Sequence, residues 1–310
     1  MKINLTRFRS RTHKYSISGV SWYPNDSGLF ITSSLDHTVK VWDTNSLEEA
    51  CAFQIDSKVY AHSVSASGVV ACGAEYPQIR LCDLRTGGST HHLVAHRGQV
   101  FALQWSPRNE YILSSGGMDG TIRLWDIRRA AGCLASLDQH NSGELLGAMN
   151  TGHTGACNGL QFTSDGIHLI SLGHDERIRV WDLVNGRNTL VGYPPIIRNR
   201  FMRNMNPCIT DIRSVETPLI FVPSDDGYLL EFQLFEGALV KKAFGVNGRL
   251  TSVTGRVGEE EIYTGASDGN ILRWRTPPPL GLMIEQVMQP SKNVLKDIYE
   301  MSTNQETRFA

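Results

Sequence analysis

The sequence predicts an all-β propeller, and three observations support this prediction. The sequence Gly-Met-Asp-Gly-Thr-Ile-Arg-Leu-Trp-Asp at 117–126 is one of six similar repeats along the chain. The closing position of the unit falls at residues 42, 82, 125, 181, 232 and 274, so its separations are 40, 43, 56, 51 and 42 residues. The chain also holds 29 glycines and 12 prolines in 310 residues, as many short strands and turns require. Six propeller blades of about 40–45 residues with two loop insertions fit this period.

The spacing inside the unit predicts its strands. In five units an aspartate lies six residues before the closing aromatic residue, and an aliphatic residue follows the aspartate by three. Inward positions two apart describe a strand that leaves a tight turn, so each unit is a meander of three or four antiparallel strands. One such sheet cannot bury both faces, and successive sheets must therefore stack around a ring. The aspartates are Asp36, Asp119, Asp175, Asp226 and Asp268, and the aliphatic residues are Val39, Ile122, Ile178, Leu229 and Ile271.

Three units also carry a histidine and a hydroxyl residue that predict a structural polar relay. A buried indole N–H needs an acceptor, and a hydroxyl can accept from it and donate to a histidine that the aspartate orients. The Ser-His-Asp content invites a catalytic interpretation, but the trio recurs with a tryptophan added, and no G-x-S-x-G elbow is present. We therefore predict no catalytic residues and no enzyme. The sets are His13, Thr32, Asp36 and Trp42; His96, Ser115, Asp119 and Trp125; and His153, Ser171, Asp175 and Trp181.

Composition excludes several function classes. Thirty basic and 31 acidic residues give a net charge of −1, so bulk attraction to nucleic acid or to an anionic membrane is not expected. The sequence has no run of 18 apolar residues and no apolar signal core at its N-terminus, which argues against a membrane span and against secretion. The six cysteines form no CxxC pair. We predict no metal, no cofactor and no small-molecule substrate.

The two ends of the chain differ from the repeats. Residues 1–12 are predicted to be either a basic arm, which could touch nucleic acid or an acidic partner, or a closing outer strand, because residues 2–6 alternate polar and apolar side chains. The blades occupy 13–280, and 281–310 is predicted to be a weakly helical or disordered tail. A small basic cluster of Arg198, Arg200 and Arg203 lies beside Phe201 between the fourth and fifth units. Together with Phe201, this cluster could contact a phosphate backbone.

At these residues the chain resembles a WD40-repeat β-propeller. Several stretches also resemble the Cockayne syndrome group A family, namely HKYSISGVSWYPNDSGLFITSSLDHTVKVWDTN, LDQHN, NGLQFTSDGIHL and YTGASDGNILRW. This similarity covers roughly residues 13–275. It includes LCDLRTGGS and WDIRRAAGCL, which propellers in general would not share.

The resemblance implies a substrate receptor of a cullin-RING ubiquitin ligase. Such a receptor docks on the large damaged-DNA-binding adaptor subunit. The family acts in the nucleus, in transcription-coupled nucleotide excision repair, with other repair factors at stalled RNA polymerase II. The alternatives left open are a generic WD40 interaction scaffold outside ubiquitin ligases, and a nucleic-acid-binding module that uses the basic arm.

One family motif can be placed on this sequence. Adaptor-docking propellers often carry Trp-Asp-X-Arg at the end of a third strand, which Trp125, Asp126 and Arg128 match fully. Asp83 and Arg85 match it without the aromatic residue. An arginine at each of these two sites could make bidentate contacts with a partner, or it could simply pair with its own aspartate.

The resemblance also implies a seventh blade and a helical segment before the match, whereas about twelve residues precede His13 here. Either residues 2–6 close a six-bladed ring, or the ring stays open with exposed strand edges.

Overall fold

The repeats form six antiparallel sheets, which confirms the predicted all-β propeller with six blades. The computed structural model describes residues 12–275, apart from Ala95, residues 130–131 and 143–149, Ser214 and residues 257–260. Within this part of the chain there are 23 strands, in five four-stranded sheets and one three-stranded sheet. The predicted basic arm or closing strand and the predicted tail lie outside the described residues.

The sheets follow one another in chain order, and each is a simple meander. The first sheet contains β1 (Ile17–Tyr23), β2 (Asp26–Ser34), β3 (Thr38–Asp43) and β4 (Glu49–Gln54). The second contains β5 (Val59–Val64), β6 (Val69–Ala74), β7 (Gln78–Asp83) and β8 (Gly88–Val94). The third contains β9 (Val100–Trp105), β10 (Ile112–Gly117), β11 (Ile122–Asp126) and β12 (Cys133–Ser136).

The other three sheets repeat this order. The fourth contains β13 (Cys157–Phe162), β14 (His168–Gly173), β15 (Ile178–Asp182) and β16 (Arg187–Asn188). The fifth contains β17 (Cys208–Ile209), β18 (Leu219–Pro223), β19 (Tyr228–Gln233) and β20 (Leu239–Phe244). The sixth contains β21 (Leu250–Gly255), β22 (Glu261–Ala266) and β23 (Ile271–Arg275). Strand β9 lies against both β5 and β13, so the first strands of neighbouring sheets meet on the inner side of the ring.

The turn between the second and third strands explains the recurring aspartate. In the first sheet the Asp36 carboxylate accepts hydrogen bonds from the Thr38 backbone N–H (3.1 Å) and hydroxyl (2.6 Å). Such a short side chain closes a tight turn by bonding two residues ahead. The residue after the aspartate is in the left-handed region in five sheets, which favours glycine there. These residues are His37, Gly120, Glu176, Gly227 and Gly269.

The turns define the two ends of the ring. The turns that contain the recurring aspartates all lie at one end, which we call the relay end. Because neighbouring strands are antiparallel, the third strands finish at the opposite end. Arg85 and Arg128 follow β7 and β11 there, and we call it the arginine end.

The core is divided into five apolar clusters, each between consecutive sheets. In the third sheet a cross-strand row of Trp105, Leu113 and Trp125 packs against Ala71 and Leu81 of the second sheet. All three side chains of this row are at most 5% exposed. The stacking predicted from the repeat therefore buries one face of each sheet against its predecessor.

The first sheet presents the same row, and no sheet of the described residues packs against it. Trp22, Phe30 and Trp42 lie side by side across β1, β2 and β3, and Trp22 is 63% exposed. On the sixth sheet Ile271 is 64% exposed, whereas the equivalent aliphatic residues of the other sheets are nearly fully buried. Among the described residues no core cluster joins the sixth sheet to the first, and β23 has no fourth strand beside it. Residues 2–6 lie outside the description, so closure by them stays a prediction.

Several kinds of site do not occur in the described part of the chain. There is no group of three or more His, Cys, Asp or Glu side chains that could hold a metal ion. No helix there is long and apolar enough to cross a membrane. The six cysteines are free thiols, and Cys72, Cys82 and Cys157 are buried.

Candidate protein-interaction site

The predicted relay residues are brought together in three sheets. In the third sheet the Trp125 indole N–H donates to the Ser115 hydroxyl (2.8 Å), which lies 2.6 Å from His96 Nε2. Because the hydroxyl receives the indole proton, it donates its own proton to Nε2. His96 Nδ1–H then donates to Asp119 (3.1 Å). The equivalent chains are Trp42, Thr32, His13 and Asp36, and Trp181, Ser171, His153 and Asp175.

The relay hydroxyls are placed for structure rather than for nucleophilic attack. Ser115 and Ser171 have no exposed surface, and each already bonds an indole and an imidazole. Burial disfavours the charge of Asp119, but hydrogen bonds from His96, the Arg97 backbone N–H and Thr121 outweigh it and hold the pKa of this carboxyl well below its usual value. The aspartate is therefore a fixed anion that orients the histidine, and every member of this buried network has a hydrogen-bond partner.

The second sheet uses a different polar contact, which the sequence did not reveal. His62 lies between serines of the first sheet, with Nε2 2.7 Å from the Ser21 hydroxyl and Nδ1 2.8 Å from the Ser33 hydroxyl. Burial lowers the pKa of His62 to about 4, so the ring is neutral at physiological pH. This contact ties the first sheet to the second, in which Cys82 replaces the relay tryptophan.

The arginine end holds the Trp-Asp-X-Arg motif in a fixed geometry. Asp126 is 4% exposed and accepts Arg128 Nε–H at 2.9 Å and an Arg128 Nη2 proton at 2.8 Å. The Arg128 guanidinium also lies over the Tyr111 ring, 4.7 Å from its centroid. These two contacts hold the guanidinium plane, while its side chain stays 57% exposed. The hydrogen bonds from Arg128 lower the pKa of Asp126 to about 2.

Arg85 follows the same turn but is held less firmly. Its backbone N–H donates to Asp83 at 2.8 Å, as that of Arg128 does to Asp126 at 3.0 Å. Its guanidinium, however, reaches the Asp83 carboxylate only at 3.6 Å and is 87% exposed. The reason is one residue in the preceding turn. The carbonyl of Gly68 accepts the backbone hydrogen bond in the second sheet that the carbonyl of Tyr111 accepts in the third. A glycine offers no ring at this position, and no other ring of the described residues lies under the Arg85 guanidinium.

Together these side chains form a candidate docking surface on two neighbouring sheets. Arg129 adds a third guanidinium, 70% exposed and 3.9 Å from Asp126. A guanidinium that is pre-oriented by a carboxylate and a ring loses little freedom when it binds a carbonyl or carboxylate of a partner. Tyr111 was missed in the sequence, although its place immediately before β10 could have indicated its contact with the end of β11.

The predicted basic cluster lies at the relay end. Arg198 Nη1 donates to Glu176 at 2.7 Å, and Arg200 lies 3.3 Å from the same carboxylate. Arg203 donates to Asp225 at 2.9 Å. All three arginines are therefore paired within the fold, which leaves less charge for a phosphate backbone than the sequence alone suggested.

Comparison with known proteins gives both a repeat family and individual relatives. The WD domain, G-beta repeat profile matches residues 5–43, 87–126 and 143–182. WD repeat-containing protein ATCSA-1 of Arabidopsis thaliana is 32% identical over 347 aligned residues, which cover 89% of this chain and 75% of the plant protein. Radiation-sensitive protein 28 of Saccharomyces cerevisiae is 28% identical over 54% of this chain and 38% of its own length.

Proteins of another process also match. Ribosome biogenesis protein YTM1 of Saccharomyces cerevisiae is 33% identical over 127 residues, which are 38% of this chain and 26% of that protein. The chain thus spans three quarters of the plant relative and well under half the length of these two yeast relatives.

Proposed function

Because this chain belongs to the WD40 repeat family of β-propeller proteins, we propose that it is a substrate-recognition subunit of a cullin-RING ubiquitin ligase. In this proposal the damaged-DNA-binding adaptor subunit docks at the arginine end. The ligase acts in the nucleus in transcription-coupled nucleotide excision repair, and its partners are repair factors and stalled RNA polymerase II. The proposal is supported by the resemblance to the Cockayne syndrome group A family and by the extent of the match to the plant relative.

The observation that carries the proposal is the pre-oriented Arg128. Bound by two nitrogens to Asp126 and stacked on Tyr111, it offers its remaining edge to a partner in one orientation. Arg85 on the neighbouring sheet is free to adjust to the same partner. One fixed and one adaptable guanidinium on a rigid platform suit the arginine-rich centre of a protein interface.

The protein would position the substrate and would not itself transfer ubiquitin. No ubiquitin transfer is assigned to it, since the relay hydroxyls are buried and fully bonded. Held between adaptor and substrate, the propeller would raise the effective concentration of substrate lysines near the transferring subunits. The stacked sheets suit this task because they fix the distance between the relay end and the arginine end.

The proposal is tested by affinity purification of the full chain from nuclear extract. Wild-type protein should recover the adaptor and its cullin, and the double variant Arg85→Ala, Arg128→Ala should recover at least tenfold less. Arg213→Ala is the matched control, because Arg213 is also an exposed arginine but lies between the first two strands of the fifth sheet. Unchanged recovery by the double variant would remove the site assignment, and absence of the adaptor from the wild-type sample would remove the ligase function.

A second candidate function is an assembly scaffold outside ubiquitin ligases. The specific observation in its favour is the match to ribosome biogenesis protein YTM1 at 33% identity, similar to the identity of the plant relative but over a shorter stretch. The same purification separates the two functions. Recovery of ribosome assembly factors in stoichiometric amounts, without adaptor or cullin, would favour the scaffold.

A further inference from the structure

A long connection at the relay end presents apolar side chains to solvent while being firmly held. Residues 189–207 join β16 to β17, and within them Phe201 is 47% exposed and Met202 is 54% exposed. We call Arg200, Phe201, Met202 and the neighbouring Arg249 the apex. Apolar side chains are often exposed at the tip of a loosely held loop, where their exposure has no function. In a loop that is held by many hydrogen bonds, exposed apolar side chains instead indicate a binding surface.

The loop is pinned immediately before the apex. Asn199 and Asn158 exchange side-chain amide hydrogen bonds in both directions, at 2.7 and 2.9 Å, and both residues are at most 1% exposed. Asn199 also donates to the Gly173 carbonyl at 3.0 Å. The Arg200 backbone N–H donates to the Asp225 carboxylate at 2.7 Å. These bonds fix the backbone up to the residue that precedes Phe201.

The loop is pinned again immediately after the apex. Arg203 Nη2 donates to Asp225 and to the Leu250 carbonyl, both at 2.9 Å. Asn204 donates to the Phe101 carbonyl at 2.9 Å, and the Met205 backbone N–H donates to the Asn158 carbonyl at 2.8 Å. Phe201 and Met202 therefore project from a short loop segment that is held by hydrogen bonds on both sides. Their exposure does not result from a loosely held loop.

The charge around the apex has the opposite sign from that of the whole chain. Residues 189–207 contain three arginines and no acidic residue. Among the described residues only two carboxylates, those of Glu176 and Asp225, pair with them. Arg249 lies over the Phe201 ring at 3.8 Å and has no carboxylate partner in the described part of the chain. The surface thus combines an excess of guanidinium charge with exposed Phe and Met side chains, which is the composition of protein-binding hot spots.

These contacts favour a protein ligand over a nucleic acid. Arg249 covers one face of the Phe201 ring and thereby competes with a base for stacking. Glu176 and Asp225 already pair with Arg198, Arg200 and Arg203, so a continuous row of phosphates would meet few unpaired guanidinium groups here. An acidic side chain can instead approach Arg249 or Arg200 singly, while an apolar neighbour on the same segment contacts Met202.

We propose that the apex binds an acidic protein segment that carries a large apolar side chain. The apolar side chain lies on Met202 and the edge of Phe201, and carboxylates on either side of it pair with Arg249 and Arg200. The apex is at the relay end and Arg85 and Arg128 are at the arginine end, so the two surfaces can be occupied together. The proposal does not rest on the ligase function.

The test uses fluorescence anisotropy with the full chain and a fluorescein-labelled 12-residue peptide in which Asp and Glu alternate with Leu and Phe. We expect a Kd of about 10–100 μM, since one apolar anchor and two ion pairs form a small contact. The double variant Phe201→Ser, Arg249→Ser should weaken binding at least tenfold. Arg213→Ser and Val184→Ser, which alter exposed residues elsewhere, should leave it unchanged.

Four outcomes would overturn the proposal. The first is that the wild-type chain at 200 μM does not bind the peptide, and the second is that the double variant binds it as tightly as wild type does. The third is that a peptide with Lys in place of Asp and Glu binds as tightly as the acidic peptide. The fourth is that a 20-nucleotide single-stranded DNA binds the wild-type chain more tightly than the acidic peptide does and that the double variant loses this binding. Circular dichroism and the unfolding temperature of the double variant should match wild type, since both side chains are at least partly exposed. Adaptor recovery by this variant should also match wild type, so failure here is distinct from failure of the ligase function.

Discussion

Replacing Ser115 with alanine tests how much a relay stabilises its sheet. The hydroxyl of Ser115 is the acceptor for the Trp125 indole and the donor to His96, and its removal leaves both groups without a partner. Trp125 is 1% exposed and His96 is 4% exposed, so water cannot replace the hydroxyl. Each of these two buried polar groups left unpaired costs about 1–3 kcal/mol, which gives a total loss of stability of about 2–6 kcal/mol.

The sixth sheet supplies a matched control. Its Trp274 donates to the Thr264 hydroxyl at 2.9 Å, but the indole is only half-buried and the described residues show no histidine bonded to this hydroxyl. Thr264→Val should therefore cost about 1 kcal/mol or less, because water can reach the indole. The two substitutions remove the same type of group from equivalent strands and differ in how many buried partners they leave.

Urea unfolding followed by tryptophan fluorescence gives both free energies of unfolding. Ser115→Ala should also lower the unfolding temperature by about 4–24 °C, given about 2–4 °C per kcal/mol for proteins of 150–250 residues. A free-energy loss in Ser115→Ala no larger than that in Thr264→Val would refute the claim that buried relays stabilise the blades.

Other contacts give three more predictions. His62 is neutral in the fold because burial lowers its pKa to about 4, whereas the unfolded chain binds the proton more tightly. The contribution of His62 to stability should therefore fall by about 2–3 kcal/mol between pH 7 and pH 4.5. His62→Gln should remove this part of the pH dependence in urea titrations. Trp105→Ala should lower the free energy of unfolding by about 3–5 kcal/mol, because the indole is buried. Trp22→Ala, at the equivalent but exposed position of the first sheet, should lower it by less than about 1.5 kcal/mol. Equal losses in urea unfolding would show that the exposed face of the first sheet is covered. Tyr111→Leu should reduce adaptor recovery severalfold while leaving the unfolding temperature within about 2 °C of wild type, because it releases Arg128 without removing it.

The fold could be predicted because its determinants are local and periodic. The aspartate turn, the aliphatic residue three positions later and the closing tryptophan recur in register, and each reflects a contact within one hairpin. The three relays were also accessible, since a buried indole, hydroxyl, imidazole and carboxylate have few other ways to satisfy one another.

Features that depend on contacts between sheets were not accessible. His62 bonds serines 29 and 41 residues away, and no spacing in its own unit indicates them. The apex is fixed by the Asn158–Asn199 pair and by Asp225, which are separated by long stretches of chain and follow no period. The difference between Arg128 and Arg85 depends on Tyr111 and Gly68, two turn residues that belong to no pattern in the sequence.

The most direct test of the proposed function is the affinity of the purified chain for the purified adaptor, measured by isothermal titration calorimetry with wild type and Arg128→Lys. Lysine keeps the charge but cannot reproduce the planar fork held by Asp126 and Tyr111. We predict at least tenfold weaker binding by Arg128→Lys, with Arg213→Lys unchanged. Equal affinities of wild type and Arg128→Lys would contradict the claim that this pre-oriented guanidinium docks the adaptor.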